Sequence, residues 1–290
     1  MNEFREALLI IITTPIYAIV IGAEILFSFY HHKNYYSLKG TFSNIYLTIL
    51  NMSLDILVRG ICLFVLNYFF QFKFIEIQNQ WVYWGMLLLA QDFMFYWLHR
   101  MDHFCRMFWA VHVTHHSSEE YNLTVGFRSS VFQPLYRFIY FIPLSLLGFK
   151  GIDIMFIYSA TQLYGILIHT QTVDKLGFLE YFFSTPSHHR VHHASNVKYL
   201  DKNMGMLLII WDKLFGTFEE ENEKVVFGLT ENIKTYHPLK MVFHEWINIA
   251  NDLKKPSSFK AKLMYVFGPP GWSHDGSKKT SKQMRSELDK

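Results

Sequence analysis

Five apolar stretches fill most of the first 168 residues, and they restrict the chain to a set of helices in contact with lipid. They read LLIIITTPIYAIVIGAEILF (8–27), IYLTILNMSLDILVRGICLFVLNYFF (45–70), WVYWGMLLLAQDFMFYWL (81–98), VFQPLYRFIYFIPLSLLGF (131–149) and IDIMFIYSATQLYGILI (152–168). A bilayer core takes about 20 mainly apolar residues per helix. The first stretch is too long for a cleavable signal peptide and lacks its flanks. Composition agrees, with 51% apolar and only 18% charged residues, against roughly 25% charged in soluble domains. Glu24, Asp55, Arg59, Asp92 and Arg137 interrupt these stretches. Charge is costly in lipid, so these groups are expected to face the bundle or reach the interface.

Stretches four and five are joined only by Gly148–Gly151 (GFKG), which reads as a tight helical hairpin, and stretches two and three by another hairpin around 71–80. The 131–168 hairpin either crosses the bilayer or dips into it. In both cases His169 returns to the side that carries His99 to His116. The loops on that side hold Lys33, Lys39, Arg100, Arg106 and Arg128, so the tendency of positive loops to stay inside puts it in the cytoplasm.

The chain has 15 histidines, and most fall in three groups there. LHRMDH carries His99 and His103, HVTHH carries His112, His115 and His116, and HHRVHH carries His188, His189, His192 and His193. His169 stands alone after the last apolar stretch. Spacings of i, i+3 and i+4 bring side chains onto one helix face. Each HxxHH copy therefore presents three imidazoles together. Ten candidates exceed the needs of one metal ion and suit two. Imidazole suits iron and zinc among other metals. A structural zinc site needs only four ligands, and neither the carboxylates of ferritin-like bundles nor an HExxH motif accompanies the histidines. The pattern points to redox-active iron. The expected fold is all-α: an integral membrane protein with four to five membrane-embedded helices and a cytosolic, histidine-rich di-metal domain.

Other classes fit less well. Cys62 and Cys105 are too few for a thiolate site or a disulfide framework. The net charge of +3, without a long basic stripe, does not point to nucleic acid. Metal transport sites tend to lie near the bilayer midplane at broken helices, whereas these clusters fall beyond the ends of the apolar stretches. A membrane metal-binding or transport protein is the distant alternative.

The spacing HxxxH, HxxHH and a later HxxHH over residues 40–220 resembles the fatty acid hydroxylase and sterol desaturase superfamily. The segments YWLHRMDH (96–103), HVTHHSSEEYNLT (112–124), IHTQ (168–171), TPSHHRVHH (185–193), DKN (201–203) and IIWDKLFGTFE (209–219) resemble its alkylglycerol monooxygenase branch most. Met204 stands where an aromatic residue is usual, and Ala194 where glycine is common. The resemblance implies an iron-dependent monooxygenase that uses O2 and tetrahydrobiopterin to cleave an ether lipid, in the endoplasmic reticulum or a bacterial inner membrane. Its partners would be a lipid substrate, O2, membrane lipids and an electron donor, either a pterin or a reductase. Sterol desaturation and fatty-acid or carotenoid hydroxylation are the alternative reactions.

The expected ligands are His99, His103, His112, His115, His116, His169, His188, His189, His192 and His193. Asp92, seven residues before His99, is expected to accept a hydrogen bond from a ligand imidazole. Glu119 and Glu120 are placed to bond a ligand or a lipid headgroup, and Asn122 to cap a helix or bind a headgroup. Residues 204–216, which include Asp212, read as an interfacial amphipathic helix. The chain divides into membrane helices (1–98), a histidine-rich catalytic region with its membrane hairpin (99–220), and a polar, basic C-terminal extension (221–290).

Overall fold

The computed structural model describes residues 2–288. Among them every regular element is helical, apart from two isolated bridges, Phe183 with Leu208 and Ala194 with Phe227. The apolar stretches form α1 (Asn2–Tyr30), α2 (Leu38–Phe70), α3 (Gln80–Phe104), α5 (Arg137–Leu146) and α6 (Gly151–Leu167), with α4 (Arg106–His116) between α3 and α5. Ser37 begins α2 by accepting the Gly40 N–H, and Asn79 begins α3 by accepting the Trp81 and Val82 N–H groups. These bonds satisfy donors that a helix start leaves open.

Arg5–Tyr30 and Leu38–Phe70 are long and apolar enough to cross a bilayer. Their outward side chains are bare: Ile19 is 71% exposed and Leu57 76%. In water such a surface would be a liability; in lipid it is the expected one. The chain is a membrane protein on this ground.

The fourth stretch does not form one spanning helix. Residues 133–135 make a 3-10 turn, and α5 has ten residues, about 15 Å of rise against a core of about 30 Å. The α5–α6 hairpin is therefore too short on one arm to cross unaided. Its turn requires Gly148, whose φ is +91° and whose added Cβ would lie 2.2 Å from the Ile75 carbonyl oxygen.

The main apolar core joins α2, α3, α5 and α6 through Leu66, Leu87, Leu98, Phe141, Leu144 and Ile154. Charged groups in the stretches face inward as expected. Arg137 pairs with Asp55 and donates to Tyr158 Oη (2.9 Å), and Arg59 pairs with Glu6. Glu24 accepts from the Leu123 N–H (2.8 Å), Tyr36 and Thr170, which ties the end of α1 to the loops after α4 and α6.

The later helices are α7 (Pro186–His192), α8 (Ile210–Phe215), α9 (Pro238–Leu253), α10 (Phe259–Phe267) and α11 (Ser281–Leu288). Of the last three, α9 and α10 pack on α4, and α11 lies against the turn at Val197–Tyr199. Buried Arg106 of α4 reaches Glu245 (2.7 Å) and Asp252 (2.8 Å), and Met241 and Val242 join Leu47 and Val131 in a second core.

Candidate metal centre

Nine histidines converge in two adjoining groups. His99, His103, His112, His116 and His192 form one; His115, His169, His189 and His193 form the other. Within each group the ligand atoms lie within 4.8 Å of one another. Helix α3 supplies the first pair and α4 the first HxxHH. His169 follows α6, and α7 with its C-cap His193 supplies the second HxxHH. The two HxxHH copies divide in opposite ways. In α4 the i, i+4 pair His112 and His116 joins the first group and His115 the second. In the later copy His189 and His193 join the second group and His192 the first. Each motif therefore stitches the groups together, and His116 stacks on His193 with ring centroids 4.4 Å apart.

The outer nitrogens are anchored. His99 Nδ1 donates to the Met204 carbonyl (2.8 Å), His192 Nδ1 to Lys202 (2.9 Å), His115 Nδ1 to Arg128 (2.7 Å) and His169 Nδ1 to Gly165 (2.7 Å). A carbonyl can only accept, so each Nε2 carries a lone pair directed inward. His103 Nδ1 meets Asp201 Oδ1 at 3.3 Å, and His112 Nδ1 meets Ser130 Oγ at 2.9 Å.

This arrangement leaves lone pairs facing each other. Nε2 of His169 and Nε2 of His115 are 3.4 Å apart, with neither able to donate. Nε2 of His99 and His112 are 3.0 Å apart, as are those of His189 and His169. Nε2 of His103 and of His192 are buried without a partner. A metal–nitrogen bond of about 2.1 Å separates neighbouring ligand nitrogens by about 3.0 Å at right angles and about 3.4 Å at the tetrahedral angle. The observed separations match. Burial holds the pKa of His112, His116, His169, His189, His192 and His193 well below 6.5 and lowers that of His115 to about 4. Neutral imidazole is the ligating form, so the residues present fit a metal centre.

Several expected site residues lie elsewhere. His188 joins neither group. It caps α7, its Nδ1 meeting the Thr185 N–H at 3.3 Å and the Phe183 carbonyl at 3.2 Å. Asp92 touches no histidine; it accepts from the Leu207 N–H (2.9 Å), the Leu208 N–H (3.1 Å) and Trp211 Nε1 (2.9 Å). Glu120 accepts the Ser37 N–H at 3.0 Å beside the start of α2, and Glu119 is exposed. Asn122 donates to the Tyr35 carbonyl. Asp212 is buried and accepts the Met204 and Gly205 N–H groups, both at 2.7 Å.

Residues 201–204 are the part that motif spacing does not reveal. Asp201, Lys202 and Met204 each anchor one imidazole of the first group. Asp201 and Asn203 have φ of 54°, a left-handed conformation that Asn and Asp tolerate best. Asn203 pins the turn by donating to the His188 carbonyl (3.1 Å) and the Glu219 carbonyl (2.8 Å) and accepting the Glu219 N–H (2.9 Å). Met204 anchors His99 through its backbone.

The fold and site define a helical membrane protein with an all-histidine cluster that could hold metal. Residues 84–217 match the fatty acid hydroxylase family model. It is similar to alkylglycerol monooxygenase of Homo sapiens, 45% identical over 192 residues, covering 65% of this chain and 42% of that protein. The Xenopus tropicalis alkylglycerol monooxygenase is 38% identical, covering 75% and 49% respectively. An ornithine lipid hydroxylase of Rhizobium tropici is 33% identical, covering 45% of this chain and 40% of its own length. The chain thus spans 40–49% of the length of these relatives. No solved structure matches it significantly.

Proposed function

We propose that this chain is an O2-dependent lipid monooxygenase whose centre holds two iron ions and which hydroxylates an alkylglycerol beside its ether oxygen. The lone pairs of His115 and His169, aimed at each other in a buried site, carry the metal part of this reading. The similarity to alkylglycerol monooxygenases carries the substrate part. Five imidazoles in the first group exceed the usual four of zinc and suit iron. When bound, iron supplies the activation of O2 and the attack on an unactivated C–H bond.

The protein's share is positioning. Carbonyls of Gly165, Arg128, Lys202 and Met204 fix the tautomer and aim of four imidazoles before metal arrives, as anchored outer partners do in metal sites generally. The burial of the histidines keeps bulk water from the ligand nitrogens. Hydroxylation next to the ether oxygen gives a hemiacetal, which releases an aldehyde and an alcohol.

The centre faces the cytoplasm in this proposal, in the endoplasmic reticulum or a bacterial inner membrane. An open depression of about 600 Å³ includes Tyr35, Gln171, Arg190 and Phe227 in its wall. Phe227 stacks on Tyr121 at 4.4 Å, and Tyr121 packs on His169 and His193. A soluble electron donor such as tetrahydrobiopterin seated there would lie two aromatic rings, Phe227 and Tyr121, from the second group.

The test is metal content of the detergent-purified protein, set against alkylglycerol turnover with and without tetrahydrobiopterin. About two irons per chain and pterin-dependent aldehyde release are expected. Two irons without that release move the substrate to a sterol or fatty acid. Absence of metal after anaerobic reconstitution with iron overturns the proposal.

A further inference from the structure

Two segments leave large apolar side chains exposed among the described residues. Residues 176–183 read LGFLEYFF, with Phe178 72% exposed and Tyr181 66% exposed; Leu214 on α8 is 66% exposed. The segments are locked together. The Ser184 N–H donates to the Leu207 carbonyl (2.9 Å), and the Ile209 N–H donates to the Phe182 carbonyl (3.0 Å). Lys213 Nζ donates to the carbonyls of Glu180 and Tyr181 (3.2 and 3.0 Å). Asp92 of α3 holds Leu207, Leu208 and Trp211 from beneath. The result is a rigid aromatic platform.

Its height relative to the membrane helices follows from two hydrogen bonds. Tyr17, midway along α1, donates to the Leu163 carbonyl of α6. The next residue, Tyr164, donates to the Ser184 carbonyl at the edge of the platform. The platform thus joins α6 level with the middle of α1. Beyond Tyr17, α1 continues to Tyr30, roughly 20 Å further, with Leu26 and Phe29 bare. Any exposed surface at that height meets the same medium as α1. Lys175 and Lys213 lie beside the patch with their charges engaged within the chain, Lys175 with Glu220 (2.6 Å) and Lys213 with the Glu180 and Tyr181 carbonyls.

We propose that this platform, residues 176–183 with α8, is a third membrane contact, facing the same lipid that covers the middle of α1. It brings lipid to within a few residues of His188 and His189, whose helix follows directly from it. The inference depends on the membrane helices and not on the reaction proposed above.

The test places a nitroxide at Phe178→Cys or Phe182→Cys in the full chain, reconstituted in nanodiscs of zwitterionic and anionic phospholipid. The two natural cysteines are buried, and the unsubstituted chain reports any background. Collision with O2 is compared with collision with a water-soluble nickel chelate. Ile19→Cys serves as the lipid reference and Glu231→Cys as the aqueous one. The expected O2-to-nickel ratio at both positions matches Ile19→Cys and lies several-fold above Glu231→Cys. A ratio equal to that of Glu231→Cys overturns the proposal. So does dipolar broadening between labels, which would show a second copy covering the face. Neither readout depends on metal loading or turnover, so failure of the proposed reaction leaves it intact.

Discussion

Asn203→Ala removes no ligand, yet it strikes the turn that anchors three of them. Asn203 is fully buried, with φ of 54° and three side-chain hydrogen bonds. Alanine leaves the His188 carbonyl and both backbone groups of Glu219 without these partners, at about 1 kcal/mol each in this partly wet setting. The left-handed backbone adds roughly 1 kcal/mol for a residue with a Cβ and no local side-chain bond. The total is about 4 kcal/mol, a fall of roughly 10 °C in the melting midpoint for a chain of this size. Because Lys202 and Met204 flank the position, His192 and His99 lose their anchors, and metal affinity drops by about 10- to 100-fold. Asn203→Gly removes the same bonds but accepts the positive φ, so it is less destabilised than Asn203→Ala by about 1 kcal/mol. Thermal unfolding in detergent and metal per chain by mass spectrometry measure both effects. If Asn203→Ala melts with the parent and binds metal as tightly, the turn is not what aims these imidazoles.

The other predictions concern the same centre. His115→Ala and His192→Ala each abolish turnover and lower bound metal while membrane insertion persists, whereas His31→Ala, at an exposed position, changes neither; normal metal and turnover in both ligand variants would remove the assignment. His188→Ala keeps its metal and loses about 1 kcal/mol of stability as a lost cap; a drop in metal stoichiometry would return His188 to the ligand set. Gly126→Ala puts a Cβ 2.9 Å from Ile166 Cα and 3.1 Å from His169 Nδ1, so it costs about 1–3 kcal/mol as overpacking and weakens metal in the second group; unchanged metal retention would show that His169 adapts. The metal-free protein loses stability as pH falls below about 6.5, because the buried histidines stay neutral while those of the unfolded chain take up protons. A midpoint that holds or rises from pH 7.5 to 5.5 contradicts that sign.

Local spacing was enough to expose eight of the nine imidazoles that converge, because i, i+3 and i+4 positions share a helix face wherever the helix goes, while His169, which stands alone, followed from the hairpin that returns it to the same side. It also exposed the apolar helices and the inward turn of Glu24, Asp55 and Arg137, since lipid tolerates no other arrangement. Spacing could not divide the histidines between groups. That division depends on how α4 and α7 rotate against each other, so adjacent His115 and His116 serve different groups. Nor could it distinguish His188 from His189, because a ligand and a capping side chain differ only in where the helix begins. Asp92 is polar in an apolar stretch, which sequence reads correctly as purposeful, but its partners lie 115 to 119 residues away. The anchors at Arg128, Gly165, Lys202 and Met204 are backbone carbonyls, and every residue has one. Residue identity carries no trace of such a role. The sequence by itself determined which histidines are candidates for the centre and that the chain carries helices apolar enough to meet a membrane; only the tertiary structure decided which of those side chains converge and how they are grouped and aimed, because that is set by contacts between residues far apart in the chain.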